Sequence, residues 1–514
     1  MDFVTTETSF GKLRGRRERG VNIFQGIPYA GQASGAYRFR RPAALQPWTG
    51  VRDALQLGAP ALQPPRQNEP EPAEDCLFLN LWTPANDNAK RPVMFYSHGG
   101  GFVIGSGGSL LQDGANLARH FDVVVVQSNH RLGLLGFLYL GEVAGSDYAG
   151  SGNQGILDIV AALEWVNQNI SVFGGDPDNV MIFGESGGGA KTSCLYAMPA
   201  AAPYFNKASI ESGPGVRMYT PELAAATTAL VLHELQIAPH DWRKLLDIPA
   251  AALLRLQSAF APVPPFQQKR QAGRITEPAL GGFGPVVDGA VLPQHPFDPT
   301  APVISKHKPL LTGWNEDEYT FFAWQRGDIS AFKLDFPGLQ ARLAAEYGDD
   351  GQQILATYRK TMLGASPADL YVAIASMTMM GLGTVEIAES KAAQQGAPVY
   401  LYYFGYKSEM KIPGTDYAIG TPHAMDITFK FHNETPENGP GFLSGNRPDR
   451  FIASRKMAEL WATFAHTGKP SAADAPAWPA YTLDARSAMR IDIECAVIDN
   501  RFREELAMWR AKGW

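Results

Sequence analysis

Cysteine is nearly absent: Cys76, Cys194 and Cys495 are scattered through 514 residues. None stands in a Cys-x-x-Cys or other metal-ligand spacing, so a disulfide framework and a cysteine-held metal are both excluded, and a reducing, cytoplasmic compartment is expected. An excess of charge is lacking too. Lys+Arg 45 against Asp+Glu 51 leaves −6 with no basic block, which excludes the electrostatic footprint of a nucleic-acid or anionic-membrane binder. The N-terminus, Met1-Asp2-Phe3-Val4-Thr5, carries no basic segment followed by an apolar run, and no ~18 apolar residues stand together, so neither a signal peptide nor a membrane span is expected. Internal repeats and low-complexity linkers are also missing, and nothing marks a boundary within residues 1–514.

What is plentiful is apolar and turn-forming. Hydrophobic residues make up 45%, with Gly 52 and Pro 38 but only 19% charged residues, a composition of many loops around a large interior. The first ~90 residues read as short strands and turns, including one strand over 6–14, followed by a Pro-rich loop at 60–72. Alternating units come next: a strand at 93–96, a helix over 110–121, a strand at 123–126, an amphipathic helix over 156–169 and a strand at 180–183. That alternation predicts an α/β fold with a mostly parallel sheet flanked by helices. Beyond Gly213, helical segments at 221–236, 339–347 and 367–395 surround isolated strands at 310–312 and 399–404. They read as insertions over the sheet, at about 215–280 and 320–395, within one domain.

The most informative segment is Val180-Met181-Ile182-Phe183-Gly184-Glu185-Ser186-Gly187-Gly188, an apolar strand running into Gly-x-Ser-x-Gly and then into a helix. Such a turn is tight enough to require small residues two before and two after the serine, and its strain holds the hydroxyl of Ser186 clear of the backbone. About 85 residues upstream, another strand ends in His98-Gly99-Gly100-Gly101-Phe102, a loop able to aim backbone N–H groups at a developing oxyanion, each worth roughly 3 kcal/mol in a dry site. A nucleophilic serine needs a base, and the base needs an orienting carboxylate. Downstream of Ser186, His423 follows a Gly/Pro turn and is modestly preferred, with His432 as a rival. Three carboxylates, Glu316, Asp317 and Glu318, follow the strand at 310–312, where sites in open parallel sheets collect. Local pattern does not choose among them.

These residues resemble a known family, the type-B carboxylesterases, cholinesterase-like α/β-hydrolases that include bacterial para-nitrobenzyl esterases. The likeness runs nearly end to end. It includes Phe24-Gln25-Gly26-Ile27-Pro28-Tyr29, Glu74-Asp75-Cys76-Leu77-Phe78-Leu79-Asn80, Asn129-His130-Arg131-Leu132-Gly133, Phe173-Gly174-Gly175-Asp176-Pro177 and Phe283-Gly284-Pro285-Val286-Val287-Asp288-Gly289. The resemblance implies the α/β-hydrolase fold, a Ser-His-Glu triad of Ser186, His423 and Glu318, and an oxyanion hole from the amides of Gly100, Gly101 and Gly187. It further implies a supporting network of Glu185, Ser212 and Asp426, a structural Arg38–Glu74 ion pair, and ester hydrolysis through an acyl-enzyme with no metal or cofactor. Four departures stand out. Gly187 occupies a position where most members have alanine, Cys76 has no thiol partner near Leu62, Asp426 replaces the usual glutamate, and the short 62–76 loop has no tryptophan, which makes choline esters unexpected substrates.

Two further expectations concern substrate and partners. Tyr319, Phe321, Phe322 and Trp324, with Met377, Met379 and Met380, are candidates to line an apolar pocket for small esters, short or aromatic rather than long-chain. The protein is expected to be a monomer or weak homo-oligomer binding neither nucleic acid nor membrane. Two rival readings compete with the esterase: a phosphate-binding loop, suggested by Lys191-Thr192 but broken by Ala190, and a catalytically inactive cholinesterase-like binding module.

Overall fold

The long apolar runs are strands buried on both faces, and they assemble into one sheet. The computed structural model describes residues 2–260, 270–271, 274–275, 280–439 and 441–513. The sheet has thirteen strands: β1 (Asp2–Thr8), β2 (Gly11–Glu18), β3 (Val21–Pro28), β4 (Val51–Asp53), β5 (Phe78–Thr83), β6 (Arg91–Ser97) and β7 (Val124–Ser128). They are followed by β8 (Gly175–Glu185), β9 (Lys207–Glu211), β10 (Leu310–Asn315), β11 (Val399–Phe404), β12 (Ser487–Ile491) and β13 (Ala496–Asp499). The spatial order is β1-β2-β3-β5-β7-β6-β8-β9-β10-β11-β12-β13, with β4 beside β2. From β7 to β12 neighbours are parallel, and antiparallel pairs close the two ends. Every residue of β6 and β7 is buried, as expected where helices cover both faces of a parallel sheet.

The expected single strand over 6–14 is two strands. Thr8 pairs with Gly11 and the chain reverses at Ser9-Phe10, because Thr8 Oγ1 donates to Gly11 O at 2.8 Å and Asn169 Oδ1 takes the Ser9 amide at 2.9 Å. The segments at 310–312 and 399–404 are not isolated: β10 and β11 are parallel neighbours inside the main sheet, in register from Leu310–Val399 to Asn315–Phe404. The helix expected over 110–121 divides into a 3-10 turn, Leu110–Gln112, and α1 (Ala115–Phe121).

The remaining helices used below are α2 (Gln154–Asn169), α3 (Gly187–Ala197), α4 (Pro221–Glu234), α5 (Ala250–Phe260), α6 (Glu318–Gln325), α7 (Phe336–Tyr347), α8 (Gly351–Thr361), α9 (Pro367–Ser376), α10 (Leu382–Ala393), α11 (Asp426–Lys430) and α12 (Arg450–Thr467). The first region expected to be an insertion holds α4, α5 and a 3-10 segment, Pro239–Leu246. Its stretches at 261–269, 272–273 and 276–279 lie outside the described residues. The second holds α6 to α10. Ser366 and Asp369 form a reciprocal capping box at the start of α9, and a π-turn over Met377–Gly381 joins α9 to α10. Together, Pro367–Ala393 is long and apolar enough to cross a membrane, yet 78% of its most apolar window is buried inside the protein, with α10 packed on β10 and β11. Its apolarity belongs to the core.

The sheet aligns four strand ends. Ser97 pairs with Gly184, Glu185 with Glu211, and Gly313 with Glu211. The chain therefore leaves β6, β8, β9 and β10 side by side at one edge, where His98, Ser186, Ser212 and the 316–318 loop follow.

Candidate active site

At the end of β8 the chain turns directly into α3, with Ser186 at φ 60°, ψ −125°. That left-handed conformation is costly for a serine and is held because the turn is over-determined. A Cβ at Gly184 would lie 2.5 Å from the backbone of Gly188, and one at Gly188 would lie 2.0 Å from Ser97 O. The Ser186 amide donates to Glu211 O at 2.9 Å, and Ser186 O accepts from Ala190 N at 3.1 Å. These contacts explain the small residues around the serine.

The three acidic side chains after β10 go to different places. Glu316 pairs with Lys407 at 2.8 Å and Arg490 at 3.2 Å. Asp317 pairs with Lys407 at 2.5 Å and accepts the Thr421 amide at 2.8 Å, which fastens the 421–423 segment to the acidic loop. Glu318, fully buried at the start of α6, takes the Asn315 amide on Oε1 at 2.8 Å and faces His423 Nδ1 with Oε2 at 2.5 Å. Of the three, it is Glu318 that contacts the imidazole. The other ring nitrogen, Nε2, lies 3.3 Å from Glu185 Oε1, beside Ser186. Burial disfavours the imidazolium, but the carboxylates of Glu185 and Glu318 outweigh it and hold the His423 pKa above its ordinary value. Glu185 itself is pushed far above the carboxylate range by burial, against the opposing pull of His423. The rival His432 sits among His120, Phe121 and Ser454, and burial lowers it to about 4.

Gly100 and Gly101 both adopt left-handed φ, 87° and 63°. A Cβ at Gly100 would lie 2.3 Å from Ile104 O, so the turn closes only with glycine. Gly187, the first residue of α3, has an amide that no preceding helical turn satisfies. It lies against the same loop: a Cβ there would come within 2.2 Å of Gly101 O and 2.4 Å of Gly101 N. At this spacing of loop and elbow, glycine at 187 leaves room that an alanine methyl group would fill.

Behind His423, the expected network takes a different form. Asp426 Oδ1 accepts from Asn315 Nδ2 at 3.1 Å, and Asp426 Oδ2 pairs with Lys430 Nζ at 2.6 Å. Lys430 also pairs with Glu211, whose Oε1 accepts from Ser209 Oγ and Trp461 Nε1. All three charged groups are fully buried. Among the described residues, Ser212 Oγ makes no hydrogen bond; its amide donates to Gly313 O at 2.8 Å. Lys430, Glu211 and Asn315 were missed in the sequence reading. The available signal was Lys430, four residues beyond Asp426 in an otherwise apolar stretch, a spacing that puts both on one helix face.

The aromatic candidates also separate. Phe322 and Phe321 approach His423 with ring centroids 4.6 and 5.9 Å away. Tyr319 is turned elsewhere: it packs edge-on against Tyr371, and its hydroxyl contacts Asp328 at 3.2 Å. Met377 and Met380 are buried while Met379 is half-buried. Arg38 and Glu74 form a two-pronged pair at 2.6 and 2.7 Å, and Arg38 Nη1 donates to three carbonyls at 245, 246 and 248, tying the Cys76 segment to the first helical region. Cys76, Cys194 and Cys495 are all free. Lys191 is fully buried with Nζ on His98 O, an arrangement unlike a phosphate-binding lysine. Among the described residues, no group of three His, Cys, Asp or Glu side chains could hold a metal ion.

The family model of the carboxylesterase family matches residues 2–509. The chain is 34% identical over 497 residues to the para-nitrobenzyl esterase of Bacillus subtilis (strain 168), covering 95% of both chains. It is 30% identical over 511 residues to the phenmedipham hydrolase of Pseudarthrobacter oxydans, covering 96% of this chain and 95% of the relative. The crystal structure of a Geobacillus stearothermophilus carboxylesterase superposes with a TM-score of 0.83 at 38% identity, over 98% of this chain and 99% of that one. These similarities set aside both the phosphate loop and the inactive binding module. The chain belongs to the carboxylesterase family, has the α/β-hydrolase fold, and is an ester-cleaving serine hydrolase.

Proposed function

We propose that the protein hydrolyses small carboxylic esters in two steps through an acyl-enzyme on Ser186. Ser186 Oγ attacks the ester carbonyl while His423 Nε2 takes its proton, and Glu318 holds Nδ1 and offsets the imidazolium charge. The amides of Gly100, Gly101 and Gly187 receive the oxyanion as the carbonyl becomes tetrahedral. His423 then gives its proton to the leaving alcohol, and water, deprotonated by the same imidazole, releases the acid and restores Ser186. The observation that carries this reading is the 2.5 Å contact of Glu318 with His423 Nδ1, with the other ring nitrogen, Nε2, 3.3 Å from Glu185 at the elbow.

Phe321 and Phe322 beside His423 supply an apolar wall at the reacting centre. Aromatic or short esters suit that wall, in line with the para-nitrobenzyl ester named in one relative's description. The decisive experiment is Ser186→Ala assayed with a p-nitrophenyl ester. Turnover should fall by about 10⁴-fold or more, and labelling by an organophosphate should vanish with it; retained turnover refutes the assignment.

A further inference from the structure

The lysine that gives the elbow its passing likeness to a phosphate loop has another use. Lys191 lies five residues beyond Ser186 on α3 and is fully buried. Its Nζ donates to His98 O at 2.9 Å and stands 5.9 Å from the centre of the Phe102 ring. Among the described residues no carboxylate pairs with it, and burial alone draws its pKa down to about 7. A buried ammonium without a counter-charge is an expensive feature. Its one hydrogen bond falls on the carbonyl at the root of the Gly99–Gly101 turn.

Among the described residues, the two imidazoles packed together beside this cation carry no charge of their own. The His98 and His130 rings stack at 4.5 Å, 18° from parallel, and His98 Nδ1 lies 2.9 Å from Gly99 O. Both rings are held well below the usual histidine value, by burial first and then by the nearby Lys191 charge, so they are neutral. Arg66 adds a weaker positive influence on His98. On the elbow side Glu185 Oε2 would lie 3.3 Å from a Cβ at Gly99, but no acidic group contributes to the shift of Lys191, which comes from burial.

We propose that Lys191 is a positioning residue for ester hydrolysis: it ties the elbow helix to the Gly-rich loop and places a positive charge beneath the amides that receive the oxyanion. This rests on the assignment of Gly100, Gly101 and Gly187 above. Such a charge acts on the tetrahedral, anionic state more than on the neutral ester, so its effect belongs in kcat.

Lys191→Met removes both bond and charge with little change in volume, and Lys191→Gln keeps an N–H donor without the charge. Expected for Lys191→Met are a Tm equal to or above the parent's, a kcat lower by about tenfold or more, and a KM within twofold. Affinity for a trifluoromethyl ketone, which forms an anionic adduct, should fall by a similar factor, while that for a neutral ester-like inhibitor should not. Lys191→Gln should recover part of kcat. The ratio of parent to Lys191→Met kcat should be largest below pH 7 and shrink above it as the ammonium loses its proton. An unchanged kcat in a folded Lys191→Met protein, a loss confined to KM or Tm, or equal weakening of both inhibitors overturns the proposal. Turnover surviving in Ser186→Ala removes the underlying assignment instead, so the two failures are told apart.

Discussion

Glu185 immediately precedes the nucleophile in sequence, and its carboxyl is one of two that face the His423 ring. Hydrolysis requires neutral His423, so activity should rise with pH through the pKa of the imidazole. Because the Glu185 carboxylate favours the imidazolium, Glu185→Gln should move the acid limb of the kcat/KM profile to lower pH; a limb that stays put would show Glu185 to be protonated throughout that range. Gly187→Ala tests the closeness of loop and elbow. A methyl group 2.2 Å from Gly101 O must displace the loop, and misplacing oxyanion donors by such an amount lowers kcat by about 10- to 100-fold. Unaltered steady-state kinetics in that variant would mean the loop yields without cost. At this scale the serine was legible from its flanking glycines. The choice of Glu318 over Glu316 and Asp317 was not legible from local pattern and came from family resemblance, because partners at Lys407, Arg490 and Thr421 lie 90 or more residues away in sequence.

Elements are joined near the site by buried charge. Asp158 on α2 receives Arg131 through Nη2 at 2.7 Å and Nε at 2.8 Å, and also takes the Arg131 backbone amide at 3.0 Å. Both side chains are essentially inaccessible, so removing one strands the other. Asp158→Ala should destabilise the protein by about 3–5 kcal/mol, read as a lower denaturant midpoint; a change under 1 kcal/mol would mean that water reaches the guanidinium. Many regular strands and helices could be read from hydrophobic runs, as with the strand at 180–183 inside β8. The β1–β2 reversal escaped because its turn is stabilised from outside, by Asn169 at the end of α2. The strands β10 and β11 looked isolated since their pairing partners are separated from each other by the helices α6 to α10.

Over the whole molecule, the buried neutral histidines couple stability to pH. His98 and His130 have pKa values lowered in the folded state, by burial and then by Lys191, while in the unfolded chain they titrate near 6.5. Below about pH 6.5 the unfolded state therefore binds more protons, and stability falls as pH falls. Tm should drop between pH 7 and 5, and His130→Phe, which removes one such group, should flatten that slope; identical slopes would locate the proton uptake elsewhere. The sequence by itself determined the layered α/β plan, the elbow serine and its glycine loop, since each is dictated by local periodicity or by backbone strain that only small residues tolerate. Family likeness then nominated Glu318 and His423. Only the tertiary structure decided how buried charges are matched: Lys430 between Asp426 and Glu211, Lys191 beneath the loop, Tyr319 turned toward Tyr371 and away from His423. Such pairings depend on distances between strand ends and helices far apart in the chain, which no local pattern encodes.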